Sequence, residues 1–209
     1  MGFFGSHTEK MIADGTQDIR KSLFDPDATV IINMNVTCGY FNYGPFRPQK
    51  SEEIISNIIR TNEYLLHSRH LFVTDVHTEK SAEFDSFPRH SSDDDAQTIL
   101  GAVASRVPDP ETVGKNCANA MLSNEFLRWF AENKKTLDSY ILIGALTDVD
   151  IYQLALSLRS YFNERNEKAR IAVVKNACAT FHSQAHNAAD FSSFALYSMM
   201  LNGISILSI

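Results

Sequence analysis

The sequence predicts an α/β domain, a three-layer α/β/α fold around a six-stranded, mainly parallel sheet. Three observations predict it. Short apolar, β-branched runs alternate with segments whose apolar residues recur at helical spacing. The 209 residues are 44% hydrophobic, enough for one well-cored domain. The stretch Gly144 to Leu156 reads as a strand end, a tight turn and a helix start, the junction at which open α/β sheets collect ligands.

In chain order, Thr16 to Leu23 could form a short helix that Asp25-Pro26 ends. Ala28 to Met34 is a continuous apolar run of strand length. Asn35 to Pro48 carries Gly39, Gly44, Pro45, Pro48 and four aromatic residues, so it reads as a loop whose rings could wall a pocket or cover the core. Ser51 is placed to cap a helix that Glu52 and Glu53 favour at its positive end, with Ile54, Ile55, Ile58, Ile59 and Leu65 on its apolar face. Arg69 to Val76 is the second strand, a polar loop runs to Asp95, and Asp95 to Ser105 reads as a helix. Thr112 to Lys115 is a short third strand, followed by a helix over Ser123 to Lys134. Ser139 to Ile143 is the central strand, and Ile151 to Phe162 is the helix that follows it. Strand Arg170 to Val174, helix Asp190 to Leu201 and strand Ile204 to Leu207 come last. The domain therefore spans residues 28–209, with residues 1–27 as an N-terminal extension.

A formal net charge of −6 and the absence of a basic cluster exclude generic nucleic-acid binding. No apolar run reaches the ~18 residues of a transmembrane helix, and the N-terminus lacks the basic-then-apolar order of a signal peptide. Cys38, Cys117 and Cys178 are too few and too scattered for a disulfide framework, which fits reduced thiols and a cytoplasmic location. Met1 to Ser6 matches the loose pattern for myristoylation at Gly2, although the pattern is short and an unstructured start or a cloning remnant is the preferred reading.

The loop after the second strand holds Asp75, His77, Glu83 and His90. Asp75 and His77, two apart at a strand end, point to one side if that end stays extended, and Glu83 and His90 return from the loop. Two imidazoles and two carboxylates suit zinc, with manganese or iron as alternatives; a solvated polar loop is the competing reading.

Gly144-Ala-Leu-Thr147-Asp148-Val-Asp150-Ile151 resembles the G-x-x-T-D-x-C-V segment of the isochorismatase-like hydrolases, the group that includes the nicotinamidases. The D-x-H, S-x-E-F and F-P-x-H pieces of the metal loop resemble the family's metal site, and the likeness runs from Ala28 through Phe181, His186-Asn187-Ala188 and the closing helix. The resemblance implies that Asp75, His77, Glu83 and His90 hold a divalent ion. It implies an Asp-Lys-Cys triad, with backbone donors at Ala145 and Leu146 for an oxyanion, a small-molecule ligand of nicotinamide type, and a homo-oligomer.

The triad positions fall on Asn33, Lys115 and Asp150, with Asn35 close by. An amide cannot accept the thiol proton, and a carboxylate is a poor nucleophile toward an amide carbonyl. Neither Cys38 nor Cys117 sits at a helix start beside a base to replace it. Cysteine-dependent amidase chemistry is therefore not expected. The exchanges can be compensatory, relocating a carboxylate that still pairs with Lys115 in a noncatalytic or attenuated ligand-binding relative. Alternatively, Asp150 serves as general base for a metal-held water, or the protein is an oligomeric scaffold. After His90 the sequence Ser91-Ser-Asp-Asp-Asp replaces the family's Cys and Gly-Thr pair.

Overall fold

Apolar runs that alternate with amphipathic segments fold, in the computed structural model, into a parallel sheet wrapped by helices; residues 5–209 are described. The order is α1 (Ser6–Gly15), β1 (Gln17–Asp18), β2 (Thr29–Met34), α2 (Cys38–Phe41), α3 (Ser51–Tyr64) and β3 (Arg69–Asp75). Then come α4 (Asp94–Gln97), α5 (Gly101–Ala104), β4 (Glu111–Lys115), α6 (Asn124–Asn133) and β5 (Ser139–Ala145). The last elements are α7 (Tyr152–Glu164), β6 (Arg170–Ala179), α8 (Ala188–Leu201) and β7 (Ser205–Ser208). Gly2 lies outside the described residues. Among the described residues no helix is long and apolar enough to cross a membrane.

Among the described residues the sheet has seven strands in the order β1-β7-β6-β5-β2-β3-β4, all parallel, one more than expected. The extra strand replaces the helix expected over Thr16 to Leu23. Gln17 and Asp18 pair with Leu207 and Ser208, and the Asp18 carboxylate takes the Arg20 backbone N–H, a local bond that competes with helix. Helix forms earlier instead, over Ser6–Gly15, and packs on α8.

Two further local differences have equally plain causes. The helix expected over Asp95 to Ser105 is split into α4 and α5, because Ile99 bridges Thr37 while Cys38 N–H and Leu100 N–H bond to Thr98 and Val36 carbonyls. Ser51 does not cap α3 but lies inside it, its hydroxyl donating to the Pro48 carbonyl at 2.8 Å. Ser123 and Asn187 do cap α6 and α8.

Alternation along the strands divides the core. Val30, Ile32, Met34, Leu71, Val73 and Leu142 face the side covered by Phe126, Phe130, Leu154 and Leu158. Ile31, Phe72, Ile141 and Ile143 face the side covered by Ile58 and Leu65. The chain winds outward through β2, β3 and β4, then returns to the other side of β2 with β5. The topological switch point is thus between β2 and β5, where a crevice opens at the strand carboxyl ends.

Gly144 holds that point together. Its φ is +113°, and a Cβ there would stand 2.0 Å from the Met34 carbonyl oxygen. Gly144→Ala is therefore expected to lower the unfolding free energy by about 2–4 kcal/mol, through strained backbone and overpacking together. Urea denaturation measures it, and an unchanged midpoint would refute this account of the β2–β5 contact.

Candidate functional site

Strand pairing sets Asp75 opposite Lys115 at the ends of β3 and β4. The Lys115 ammonium is buried and bonds both Asp75 Oδ1 and Asp150 Oδ1, the latter at 2.6 Å. Asp150 is held in the turn between β5 and α7, where Thr147–Ile151 form one π-helical turn. Its Oδ1 also accepts from Asn35 Nδ2 at 3.1 Å, and its Oδ2 from the Leu146 N–H at 3.2 Å. Asn35 Nδ2 reaches Asp75 Oδ2 as well (3.1 Å), and its Oδ1 accepts the Asp75 N–H at 3.0 Å.

Lys115 and Asp150 are therefore together, as expected, but Asn33 is elsewhere. Asn33 faces α3 and exchanges hydrogen bonds of 3.1 and 2.9 Å with Asn62, which in turn meets His70 Nδ1 at 2.9 Å. The amide beside Lys115 and Asp150 belongs to Asn35. Simple alternation puts residues 33 and 35 on the same side, but Asn35 has a φ of +49°, and this left-handed residue ends β2 and turns its side chain to the crevice. Of the expected oxyanion donors, Leu146 N–H is spent on Asp150, and Ala145 is a strand residue in register with Ala179.

Burial opposes ionisation of both carboxylates, and the balance differs between them. For Asp75, Lys115, His90 and Tyr40 outweigh burial and hold the carboxyl well below its usual range. For Asp150, burial and the nearby Asp75 charge outweigh Lys115, and the pKa is pushed up to about 6. Burial would strip Lys115 of its proton, but the two carboxylates overcome it and raise the ammonium's pKa.

On the other side of Asp75 lies the metal loop. The ligand atoms of Asp75, His77 and His90 all fall within 4.8 Å of one another, an arrangement that can hold a metal ion. His77 Nε2 is 3.1 Å from His90 Nε2 and 3.8 Å from Asp75 Oδ2; His90 Nε2 is 3.6 Å from the same oxygen. Glu83 is outside that trio but places Oε2 3.2 Å from His77 Nε2, while its Oε1 takes the Ala118 N–H. The remaining ring nitrogens fix the tautomers. His77 Nδ1 faces Asn116 Oδ1 at 2.8 Å and His90 Nδ1 faces the Pro88 carbonyl at 2.7 Å, so each Nδ1 donates. Each Nε2 then presents a lone pair inward, toward carboxylate oxygens that also only accept. Such a donor set fits a cation. Without one, a proton takes the role: burial would lower the His77 pKa, but Glu83 and Asp75 outweigh it and raise it.

Several site groups escaped sequence reasoning. Tyr40, on α2, is buried and donates its hydroxyl to Asp75 Oδ2. Asn116 orients His77, and Ser81 anchors Asn116 at 2.7 Å. His186 bonds Asp148 at 2.7 Å and is sandwiched between Phe181 and Phe191, each 4.0 Å away. Only the aromatic richness of residues 35–48 hinted at Tyr40; nothing marked Asn116, whose partner is 39 residues away.

A cavity of about 10 Å³ lies among Tyr40, Phe46, Asp75, Glu83, Phe87, His90, Leu146 and Asp150. That is room for about one water molecule. A far larger open groove, about 800 Å³, lies at the opposite end of the strands between Asp138, Arg159 and Arg170, away from all these groups. Size does not make it the site, since its charges are mixed and it holds none of the converging ligands.

No family model matches the chain, and no curated protein matches it in sequence. Solved structures do match. The nicotinamidase from Bacillus subtilis superposes with a TM-score of 0.68 at 15% identity, covering 87% of this chain and 99% of that one. A pyrazinamidase/nicotinamidase from Streptococcus mutans gives 0.67 at 19% identity, covering 85% and 99%. N-carbamoylsarcosine amidase from Thermoplasma acidophilum gives 0.64 at 17%, covering 86% and 95%. The chain has the fold shared by nicotinamidases and isochorismatase-like hydrolases.

Proposed function

We propose that this protein is a metal-binding, isochorismatase-like relative in which cysteine-dependent amide hydrolysis has been lost. The observation that carries this reading is the bonding of Asp150. Its carboxylate stands where the resembling family has its nucleophile and accepts from Lys115, Asn35 and the Leu146 N–H. Lys115, Asn35 and the Leu146 N–H, which such a reaction would use, are thereby occupied by the protein's own anion. Asn35 accepts no proton, and Lys115 is held charged between two carboxylates.

The metal is the second half of the proposal, with Asp75, His77 and His90 as ligands and Glu83 as the fourth. Zinc is the first choice, manganese or iron next. A tetrahedron with zinc bonds of about 2.0–2.1 Å has edges of about 3.3–3.4 Å. The donor separations of 3.1, 3.2, 3.6 and 3.8 Å bracket that value. A bound divalent ion would supply Lewis acidity and a more acidic water. One observation favours a second reading, metal-dependent hydrolysis with Asp150 as general base: Asp150 and the ligand residues line the same cavity. Against it, both Asp150 oxygens are already engaged, Oδ1 by Lys115 and Asn35 and Oδ2 by the Leu146 N–H, so a water must share or displace one of these donors to reach the carboxylate.

Three measurements test these statements. Dialysed protein should bind about one equivalent of zinc with a rise in melting temperature, and His77→Ala should abolish both. In that assay Asp150→Asn should weaken zinc about 10- to 100-fold, since Lys115 is then paired with the ligand Asp75 alone and competes with the ion for its charge. Metal content near zero in both wild type and variant would remove the metal from the proposal.

Wild type should release no ammonia from nicotinamide above background. The informative reversion is Asn35→Asp with Asp150→Cys, assayed with zinc. Turnover by wild type at an ordinary enzymatic rate of about 1 s⁻¹ or more would overturn the disarmed-site reading.

Asp150 also gives the metal-free protein a pH signature. Its folded pKa, about 6, exceeds the unfolded value of 3.8, so its contribution is full below pH 3.8 and lost as pH rises through about 6. Compared with Asp150→Asn by urea unfolding, wild type should lose ground between pH 4 and pH 6. A stability gap that stays constant, or moves the other way, contradicts the assigned shift.

A further inference from the structure

We propose that the metal centre is closed to ring-sized ligands and that Phe46 is the residue that closes it. This rests on the metal reading above and extends it to the class of molecule the site admits.

Phe46 is at the middle of an aromatic roof over the ligands. It lies 5.9 Å from Tyr40, 5.8 Å from Phe87, 4.9 Å from Phe181 and 4.7 Å from the ligand His90, centroid to centroid. It is 2% exposed, while its neighbours Pro45 and Arg47 are exposed, so Phe46 is the one residue of that stretch that turns inward. The loop that carries it is held in shape. Gly44 has a φ of +94°, its missing Cβ would stand 2.4 Å from the Gly39 carbonyl oxygen, and the Arg47 side chain bonds the Phe41 carbonyl at 3.2 Å.

Beneath the roof the cavity of about 10 Å³ takes one water-sized occupant. An apolar cavity of about 150 Å³ is known to take a benzene ring, a volume more than tenfold larger. The side chain that separates the two cases is a ring already in place, set edge-on against the ligand His90 at an interplanar angle of 61°. Tyr40 cannot be the plug in the same sense, because its hydroxyl is tied to Asp75 and its removal would disturb the ligand set. Phe46 makes no hydrogen bond through its side chain, so its truncation changes space and leaves the donors alone. The centre thus admits water or hydroxide beside Asp150 and excludes planar rings, which distinguishes it from a site shaped for a planar aromatic amide.

The test uses the full chain loaded with Co(II), whose visible spectrum reports coordination, and imidazole as the ring-sized probe. Wild type should show no saturable spectral change. Phe46→Ala should bind imidazole with a Kd lower by about tenfold or more, the size of effect that filling or emptying a pocket produces. Equal imidazole affinity in the two proteins overturns the proposal, as does a folded, Co(II)-loaded Phe46→Ala that does not respond. If Phe46→Ala fails to fold, Phe46→Leu serves in its place and must respond likewise. If wild type takes up no Co(II), the metal reading fails by itself. The plug is then judged on metal-free protein by thermal shift with imidazole, where a shift in the variant alone supports it and a shift in both or neither overturns it.

Discussion

A buried ammonium is the constraint on which the site depends. Lys115 is enclosed at the end of β4, and a lone charge there would cost several kcal/mol of desolvation. Two carboxylates surround it, which overcompensates: Asp75 and Asp150 against Lys115 leave one negative charge, and Glu83 nearby leaves two. The excess faces a pair of imidazole lone pairs. The cluster is therefore balanced by a divalent cation or, in part, by a proton on His77. Asp75 links both halves, since one oxygen holds Lys115 and the other faces the two imidazoles. Lys115, Asp150 and the metal loop form one electrostatic unit.

The sheet places the half of this unit around Lys115, while His77, Glu83 and His90 come from the loop after β3. Asp75, Lys115 and Asn35 stand at the ends of three adjacent strands, and Asp150 follows the fourth by one π-helical turn. Because β5 pairs beside β2, residues 115 apart in sequence bond directly, as Asn35 and Asp150 do. Gly144 permits that close approach.

The sequence was legible where chemistry is local. Apolar runs marked six of the seven strands found among the described residues, and the Asp-x-His pair at a strand end marked two members of the trio that can hold a metal ion. It was illegible where backbone conformation or a distant partner decides. A two-residue edge strand such as β1 has no periodicity to detect, and its pairing with Leu207 and Ser208 lies across the whole chain. Alternation could not separate Asn33 from Asn35, because the left-handed turn at Asn35 is invisible in composition and asparagine tolerates it at either position. The split of the helix expected over Asp95 to Ser105 likewise required Thr37, some sixty residues away, as pairing partner for Ile99.

The fold alone does not fix the chemistry, since likeness at 13–19% identity carries architecture and not residues. On the proposed reading, what the residues add is a substitution that preserves charge while removing reactivity. A thiolate in the position of Asp150 would place one negative charge beside Lys115 and the Leu146 N–H. The Asp150 carboxylate places the same charge on the same partners, with a second oxygen to satisfy the backbone donor. Exchange to a neutral residue would leave Leu146 N–H without that acceptor and Lys115 with one carboxylate in place of two. Asp150 thus conserves the electrostatics of an activated nucleophile without its nucleophilicity. Asn35 completes the change: with no thiol proton to remove, a neutral amide that bridges the two carboxylates serves better than a third buried anion.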